Sequence, residues 1–347
     1  MTALRDLPLA VAAAALLSLG ASAQTVCSQS LDPTPEAGAG LTCTNVGVDV
    51  GNRYMRRYDA LADCTLPGTA VTGVRFAVDR AEGDPATGLQ DVRVRAYAIP
   101  AGAPLTFANM NVVAEVTVPV PDGSLQAIDA MFPSPAVVLP GTDFVLEVAT
   151  VRNGTEGYRY FPGANGLGQT ADCYLSAPTC GIDEPMALSA IGFPFVHYLI
   201  DAIHEPLFGD PVCESNVNSS GGAAIIRATG SNLLSDNDVT LTCSGLPANT
   251  FVFVLASTTF NVSTPGATQG VLCLGGAIGR GVGGTIGSSG PGGVFTVTAD
   301  LTAIPQPGGA VTATIGENWF LQGWFRDSDG MGGVTSNLTD AIAITVQ

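Results

Sequence analysis

Apolar and polar residues alternate with a period of two along most of the chain, as they do in β-strands that bury only one face. Between Val74 and Asp79, for example, the apolar residues Val74, Phe76 and Val78 fall on the same face. The same alternation recurs in further runs at Asp91–Ile99, Val112–Val120, Phe144–Val151 and Phe193–Ile200. Because convincing helical periodicity is absent, the pattern predicts an all-β fold with antiparallel sheets.

The alternation lapses where Pro206 and Pro211 bracket Gly209, and we place a domain boundary there. Seven more strand candidates follow it: Ala223–Ala228, Val239–Leu246, Phe251–Ser257, Gly270–Leu274, Val294–Leu301, Trp319–Asp327 and Asp340–Val346. Short strands separated by turn residues are typical of β-sandwiches. We therefore predict two consecutive antiparallel β-sandwich domains, jelly-roll or Ig-like, over residues 24–208 and 212–347.

The N-terminus has the pattern of a cleaved secretory signal peptide, which we predict over residues 1–23. Arg5 precedes an apolar run from Leu7 to Leu19, and Ala21-Ser22-Ala23 follows it. No later apolar run approaches the roughly 20 residues of a membrane-spanning helix. The expected location is therefore outside the cell, at the cell surface or in the periplasm, with no membrane span.

Cysteine usage agrees with export, since all eight cysteines follow the predicted cleavage point. They are Cys27, Cys43, Cys64, Cys173, Cys180, Cys213, Cys243 and Cys273. An even number in an exported chain indicates disulfide bonds, although the spacing does not select their pairing. No C-x-x-C pair occurs, which disfavours a cysteine-based zinc site.

The charge balance excludes nucleic acid as a partner. Charged residues make up only 12% of the chain, the net charge is −17, and all 13 basic residues are arginine. A surface that binds phosphates needs clustered Lys and Arg.

The densest basic cluster, N-R-Y-M-R-R-Y, contains Arg53, Arg56 and Arg57. One interpretation is a patch in which Arg53, Tyr54 and Arg56 bind an anionic ligand, because guanidinium groups pair with carboxylates and stack on aromatic rings. The alternative, which we favour, is a strand whose arginines pair with the chain's own acidic residues.

Both tryptophans lie in the stretch from Trp319 to Asp327. Read as a strand, it places Trp324 on one face and Trp319 on the other. Large apolar groups on both faces are typical of a central strand that is covered on both sides. The functional alternative is that Trp324 is exposed and stacks against a sugar ring.

Asp327 and Asp329 begin a stretch with the spacing of a calcium loop. The closing bidentate acid is missing, because Leu338 stands at the twelfth position. A looser calcium site that includes Asp327, Asp329 and Asp340 stays open as an alternative. Otherwise we expect no cofactor, since aspartates in turns mostly bond their own backbone.

We predict no catalytic residues. His197 and His204 are the only histidines, and no G-x-S-x-G nucleophile motif occurs. The run Gly279–Gly284 has the spacing of a dinucleotide fingerprint but lacks the βαβ context, so we interpret it as a loop.

Residues 213–347 resemble a β-rich domain that recurs at the C-terminus of large secreted proteins of environmental bacteria. The resemblance depends on motifs that follow in order: Asn218-Ser219-Ser220-Gly221, Gly245-Leu246-Pro247-Ala248-Asn249, Leu272-Cys273-Leu274-Gly275-Gly276 and Trp319–Asp327. It implies an extracellular, modular and non-catalytic role.

Three hypotheses for the function follow. The first is a secreted, non-catalytic adhesion protein that recognises a glycan or an extracellular protein. The second is a structural subunit of an extracellular layer or filament, which would self-associate through a sheet edge. The third is a carboxylate-dependent glycoside hydrolase.

Overall fold

The computed structural model describes residues 25–45, 48–49, 51–59, 69–137, 142–150, 158–266, 268–329 and 331–347. The predicted signal peptide, residues 1–23, lies outside them. The paired strands are antiparallel, and the helices of the described residues are short 3-10 turns such as Phe107–Asn109 and Leu188–Ile191. The predicted all-β fold is confirmed. No helix among the described residues has the length and apolarity needed to cross a membrane.

The N-terminal half, up to residue 206, contains two large sheets. Its strands are β1 Thr25–Cys27, β2 Thr44–Asn45, β3 Val48–Asp49, β4 Arg53–Tyr58, β5 Thr69–Glu82, β6 Leu89–Pro100, β7 Asn111–Pro121, β8 Gly123–Val137, β9 Thr142–Thr150, β10 Arg159–Pro162, β11 Ala164–Asn165, β12 Cys173–Ala177, β13 Ile182–Ala187, β14 His197–Tyr198 and β15 Ile200–Pro206. One sheet has the order β13-β12-β4-β9-β6-β7, and the other joins β1, β15, β5, β10 and β8. Side chains from both sheets form one core, which includes Tyr54 and Leu146 from the first and Phe76 and Ile200 from the second.

The C-terminal half, from residue 210 onward, repeats this arrangement with different strands. They are β16 Asp210–Cys213, β17 Ile225–Ser231, β18 Asp238–Ser244, β19 Phe251–Ser257, β20 Thr259–Ser263, β21 Leu272–Gly275, β22 Gly279–Arg280, β23 Gly287–Ser288, β24 Phe295–Ala299, β25 Asn318–Ser328 and β26 Val334–Thr345. A sheet ordered β16-β26-β25-β19-β22, with β23 also on β19, lies opposite a three-stranded sheet, β17-β18-β24. Leu241 and Val297 from the small sheet pack with Val252 and Phe325 from the large one.

The two halves have separate sheets and separate cores. Among the described residues, no sheet combines strands from before Pro206 with strands from after Asp210. The large core clusters likewise draw on one half each. The division into two sandwich domains stays a prediction, which this partition favours.

The strand prediction differs from the structure in several places, and two of them affect the sheets of the N-terminal half. The run Phe193–Ile200 is not one strand, because Gly192 adopts a φ of +96° and Pro194 follows, so that pairing begins only at His197. The 15-residue strand β8 was not predicted. Its two prolines, Pro133 and Pro135, resemble turn residues in sequence, but β8 lies at the sheet edge, where proline is tolerated.

Disulfide bonds are present, as predicted. Cys43 pairs with Cys180, Cys213 pairs with Cys273, and Cys27 is also disulfide-bonded. Two other cysteines, Cys173 and Cys243, are free and buried. Burial raises the pKa of both thiols and keeps them protonated, which is typical of structural rather than reactive cysteines.

We expect Asp201→Asn to stabilise the protein increasingly as the pH rises. Asp201 is only 4% exposed, and burial raises the pKa of its carboxyl above the ordinary 3.8, although Arg56 and Arg75 oppose this shift. A raised folded-state pKa contributes stability below the ordinary pKa, and that contribution is lost as the pH rises through the folded-state value. The free energy of unfolding of the variant, measured with urea between about pH 4 and pH 7, should therefore rise relative to that of the wild type.

Asp129→Asn is the matched control with the opposite sign. Asp129 accepts two hydrogen bonds from Arg75, at 2.7 and 2.8 Å, and these lower its pKa. Its contribution to stability is lost as the pH falls below the ordinary pKa of 3.8 and is fully present above it. The free energy of unfolding of this variant should therefore fall relative to the wild type as the pH rises toward 3.8, and the difference should stay constant between about pH 4 and pH 7. If the free energies of unfolding of the two variants depended on pH in the same way, the opposite pKa shifts of Asp201 and Asp129 would be contradicted.

Candidate functional site

The outer face of β19 and β25 carries three clustered aromatic side chains, Phe251, Phe253 and Trp324, which we call the aromatic surface. Phe253 lies directly opposite Trp324 in the strand register, and their rings stack with centroids 4.9 Å apart. The Phe251 ring meets both rings edge-on, at 6.1 and 6.2 Å. Phe251 is 46% exposed and the other two are half-buried, so the cluster faces solvent.

Strand alternation determines which side chains point outward here. Val252, Val254 and Phe325 are fully buried in the core between the sheets. Their neighbours Phe253 and Trp324 must therefore point to the opposite face. β25 lies between β26 and β19, which is the central position predicted for a strand with large apolar groups on both faces.

The β20–β21 hairpin covers part of this outer face. Gln322 anchors it, since its Oε1 accepts from the Cys273 N–H at 2.9 Å and its Nε2 donates to the carbonyls of Val271 and Thr339 at 2.8 Å. The Cys213–Cys273 disulfide fixes the same segment. Phe253 and Trp324 pack partly against a cluster of Leu255, Leu274 and Leu338, of which Leu274 belongs to the hairpin.

An exposed arginine borders the aromatic surface. The guanidinium of Arg326 lies 5.8 Å from the centre of the Trp324 ring. Arg326 forms no ion pair with the described residues, whereas exposed arginines such as Arg75 and Arg80 do. It therefore adds an available positive donor beside the rings.

Of the predicted anionic-ligand patch, Arg56 and Tyr54 point into the core of the N-terminal half and are 0% exposed. Arg56 donates to the carbonyls of Tyr198 and Ala171, at 2.7 and 3.1 Å, and to the hydroxyl of Ser30 at 3.0 Å. Neither side chain has surface open to a ligand. Both also belong to a different sheet from Trp324, so the structure does not bring the predicted ligand-binding residues together.

Arg53 and Arg57 lie on the opposite face of β4 and pair with acidic residues, as the alternative interpretation predicted. Arg53 donates to Glu147 at 2.6 Å, and its guanidinium stacks 3.8 Å from the centre of the Phe107 ring. Arg57 forms a 2.5 Å ion pair with Asp143. Their charges are therefore already compensated within the sheet.

The three candidate calcium ligands belong to separate hydrogen-bond networks. The buried Asp340 pairs with Arg227 at 2.7 Å, and Asp327 accepts from the Asn337 side chain at 3.1 Å. Asp329 accepts from the backbone of its own turn, at Met331 and Gly333. In the described part of the chain, no group of three or more His, Cys, Asp or Glu could hold a metal ion.

His197 contacts the chain around it rather than a catalytic partner. It is 6% exposed, its Nδ1 accepts from the Gly168 N–H at 3.2 Å, and its Nε2 lies 3.3 Å from the Pro194 carbonyl. These contacts are those of a structural histidine.

Two residues of the aromatic surface, Phe251 and Phe253, are not among the predicted site residues. Their spacing in a predicted strand shows that they share a face, and this could have identified them as a pair. Their position beside Trp324 depends on the pairing of β19 with β25, about 70 residues apart, which no local pattern specifies.

We expect Arg56→Met to lower the free energy of unfolding by about 3 kcal/mol, because it leaves buried acceptors without their charged donor. Arg75→Met is the control. Because Arg75 is exposed, this variant should lower the free energy of unfolding by about 1 kcal/mol or less. Urea unfolding measures both. A full-stability Arg56→Met protein would contradict a structural role for this arginine.

We expect Gln322→Leu to lower the free energy of unfolding by about 2 kcal/mol or more, because the Cys273 N–H and two carbonyls lose their buried hydrogen-bond partner. Amide hydrogen exchange at Cys273 should become faster. Gln306→Leu is the matched control, because half-buried Gln306 makes a single 3.3 Å bond to the Ala256 carbonyl. Equal losses for the two variants would show that Gln322 does not hold the hairpin.

No known protein family model matches this chain, and the comparison with curated proteins finds no match. The resemblance of residues 213–347 to a domain of secreted bacterial proteins thus stays a prediction, and geometry must carry the functional argument.

Proposed function

We propose that this protein is a secreted, non-catalytic binding protein that recognises glycans through the aromatic surface. The observation that carries the proposal is the cluster of Phe251, Phe253 and Trp324, with Arg326 at its border, which forms no ion pair with the described residues. Aromatic rings that are grouped on a sheet face and keep part of their area open to solvent are typical of recognition surfaces.

The chemistry of this surface suits a sugar. Aromatic rings pack against the apolar C–H face of a pyranose, and a guanidinium offers several donors to its hydroxyl groups. Phe251, at 46% exposure, provides accessible ring area, and Arg326 provides the polar contact. The ring contacts on Phe253 and Trp324 fix their orientation before a ligand arrives, which lowers the entropic cost of binding.

Disulfide bonds support an extracellular location. Cys43–Cys180 and Cys213–Cys273 each join segments far apart in the chain, and structural disulfides persist in oxidising compartments. A chain with 13 arginines and 30 acidic residues also suits contact with neutral ligands better than with polyanions.

The alternatives fit the geometry less well. Self-association through the edge strands β7 and β8 is opposed by four prolines, Pro119, Pro121, Pro133 and Pro135, which cannot donate to an added strand. For glycoside hydrolysis, Glu115 and Glu147 are the neighbouring carboxylates on one sheet face, but Arg95 forms ion pairs with both. Glu147 is also fully buried, so it presents no surface to a glycosidic bond.

We expect a glycan array to reveal binding that Trp324→Ala weakens about tenfold or more, because the variant removes ring area worth roughly 1.4 kcal/mol of binding. Phe260→Ala is the matched control, since Phe260 is 42% exposed on the hairpin and contacts Phe320 instead. Trp324→Phe should keep part of the affinity. Absence of binding on the array, or equal loss for Trp324→Ala and Phe260→Ala, would overturn the proposal.

A further inference from the structure

Two exposed arginines border the aromatic surface at opposite ends. Arg326 lies two residues after Trp324 on β25, and its guanidinium is 5.8 Å from the centre of the Trp324 ring. Arg280 of β22 is paired directly with Leu255 of β19. Leu255 packs in the outer cluster that Phe253 and Trp324 also contact, so Arg280 points to the same outer face. Phe253 is its diagonal neighbour there, within reach of a long side chain.

Neither arginine is neutralised by the described part of the chain. Ion pairs with Asp or Glu are formed by seven other arginines: Arg53, Arg57, Arg75, Arg80, Arg95, Arg159 and Arg227. Of the remaining described arginines, Arg56 is buried and donates to carbonyls. Arg93, Arg280 and Arg326 form no ion pair with the described residues. Two of these three therefore lie beside the same aromatic rings.

Acidic side chains are absent from the outer face of the described strands that carry these arginines. On that face β19, β22 and β25 place two arginines and no Asp or Glu. Asp327 points to the opposite face, where it accepts from Asn337 at 3.1 Å. The whole stretch 239–299 contains no acidic residue, although the chain has 30. Charges beyond about 8 Å are largely screened at physiological ionic strength, so a small ligand here meets a positive surface despite the net charge of −17.

This combination matches an acidic sugar better than a neutral one. The rings accept the apolar C–H face of a pyranose, as they do for any sugar. A guanidinium binds a carboxylate through two parallel, charge-assisted hydrogen bonds, which are roughly twice as strong as bonds between neutral groups. Only a sugar with a carboxylate uses both features of the surface.

We propose, on the basis of the glycan recognition proposed above, that the aromatic surface selects acidic sugars. The ligand carboxylate pairs with Arg326 while the sugar ring packs against Phe251 and Trp324. Arg280 lies about 14 Å from Arg326 along the strands and about 10 Å across them, by standard sheet spacing. A second carboxylate, on another unit of an oligosaccharide, therefore pairs with Arg280. Because the rest of the chain is strongly acidic, short acidic oligosaccharides fit this surface better than long polyanions.

The test uses an array of uronic-acid and sialic-acid oligosaccharides, each beside its methyl ester, which has the same rings but no charge. The full chain should bind at least one of the acids. Calorimetry should then show that the matching ester binds about fivefold more weakly or less well still. Raising the salt from about 0.05 M to about 0.5 M should narrow this difference, since both arginines are exposed.

Replacing both arginines, Arg280→Gln together with Arg326→Gln, should bring the ratio of the acid and ester affinities to within about twofold of one. Arg159→Gln is the matched control. It removes a charge from an exposed arginine in the N-terminal half and should leave that ratio unchanged. Trp324→Ala should weaken the binding of acid and ester alike.

Equal affinities for acid and ester, or an acid preference that survives the loss of both arginines, would overturn the selection of acidic sugars. If Trp324→Ala still weakened the binding of the ester, the proposed glycan recognition would stand without it. If no oligosaccharide bound, charged or neutral, both proposals would fall.

Discussion

Strand β25 has to be covered on both faces, and much of the C-terminal half is organised by that requirement. Trp319, Leu321 and Phe325 fill the core between the two sheets, so the alternate residues must emerge on the outside. Phe320 and Trp324 are too apolar to be left in water without cost. Both pack against the cluster of Leu255, Leu274 and Leu338, and Phe320 also contacts Phe260 of the hairpin while Trp324 stacks on Phe253. The aromatic surface is the part of this outer face that keeps ring area open to solvent.

Gln322 fixes the position of the β20–β21 hairpin over β25. A buried side-chain amide costs free energy unless it forms hydrogen bonds. Gln322 forms them with the backbone of Val271 and Cys273, in the segment that crosses above it. The hairpin is therefore held by polar contacts at one fixed point and by a disulfide at Cys273. A purely apolar face would not specify the position of the hairpin so closely.

The sequence predicted many of the segments that form strands, although not β8, and it did not predict what they pair with. Phe251–Ser257 and the β25 stretch have the predicted bounds to within a residue, because alternation is a local property. The pairing of Phe253 with Trp324 joins distant segments, and no pattern within either strand contains it. Arg56 illustrates a second limit. In N-R-Y-M-R-R-Y it looks like its neighbours, yet it points into the core because carbonyls from distant loops meet it there.

The surroundings of the β7 edge determine whether another strand can add to it. A bare edge invites open-ended strand addition. Here Pro119 and Pro121 interrupt the donors at one end, and the Gly292 loop lies against Val112 at the other. Among the described residues of β7, the bare edge is therefore limited to the short segment between these two points. An edge interrupted in this way offers another copy of the same sheet few consecutive donors, which opposes open-ended strand addition.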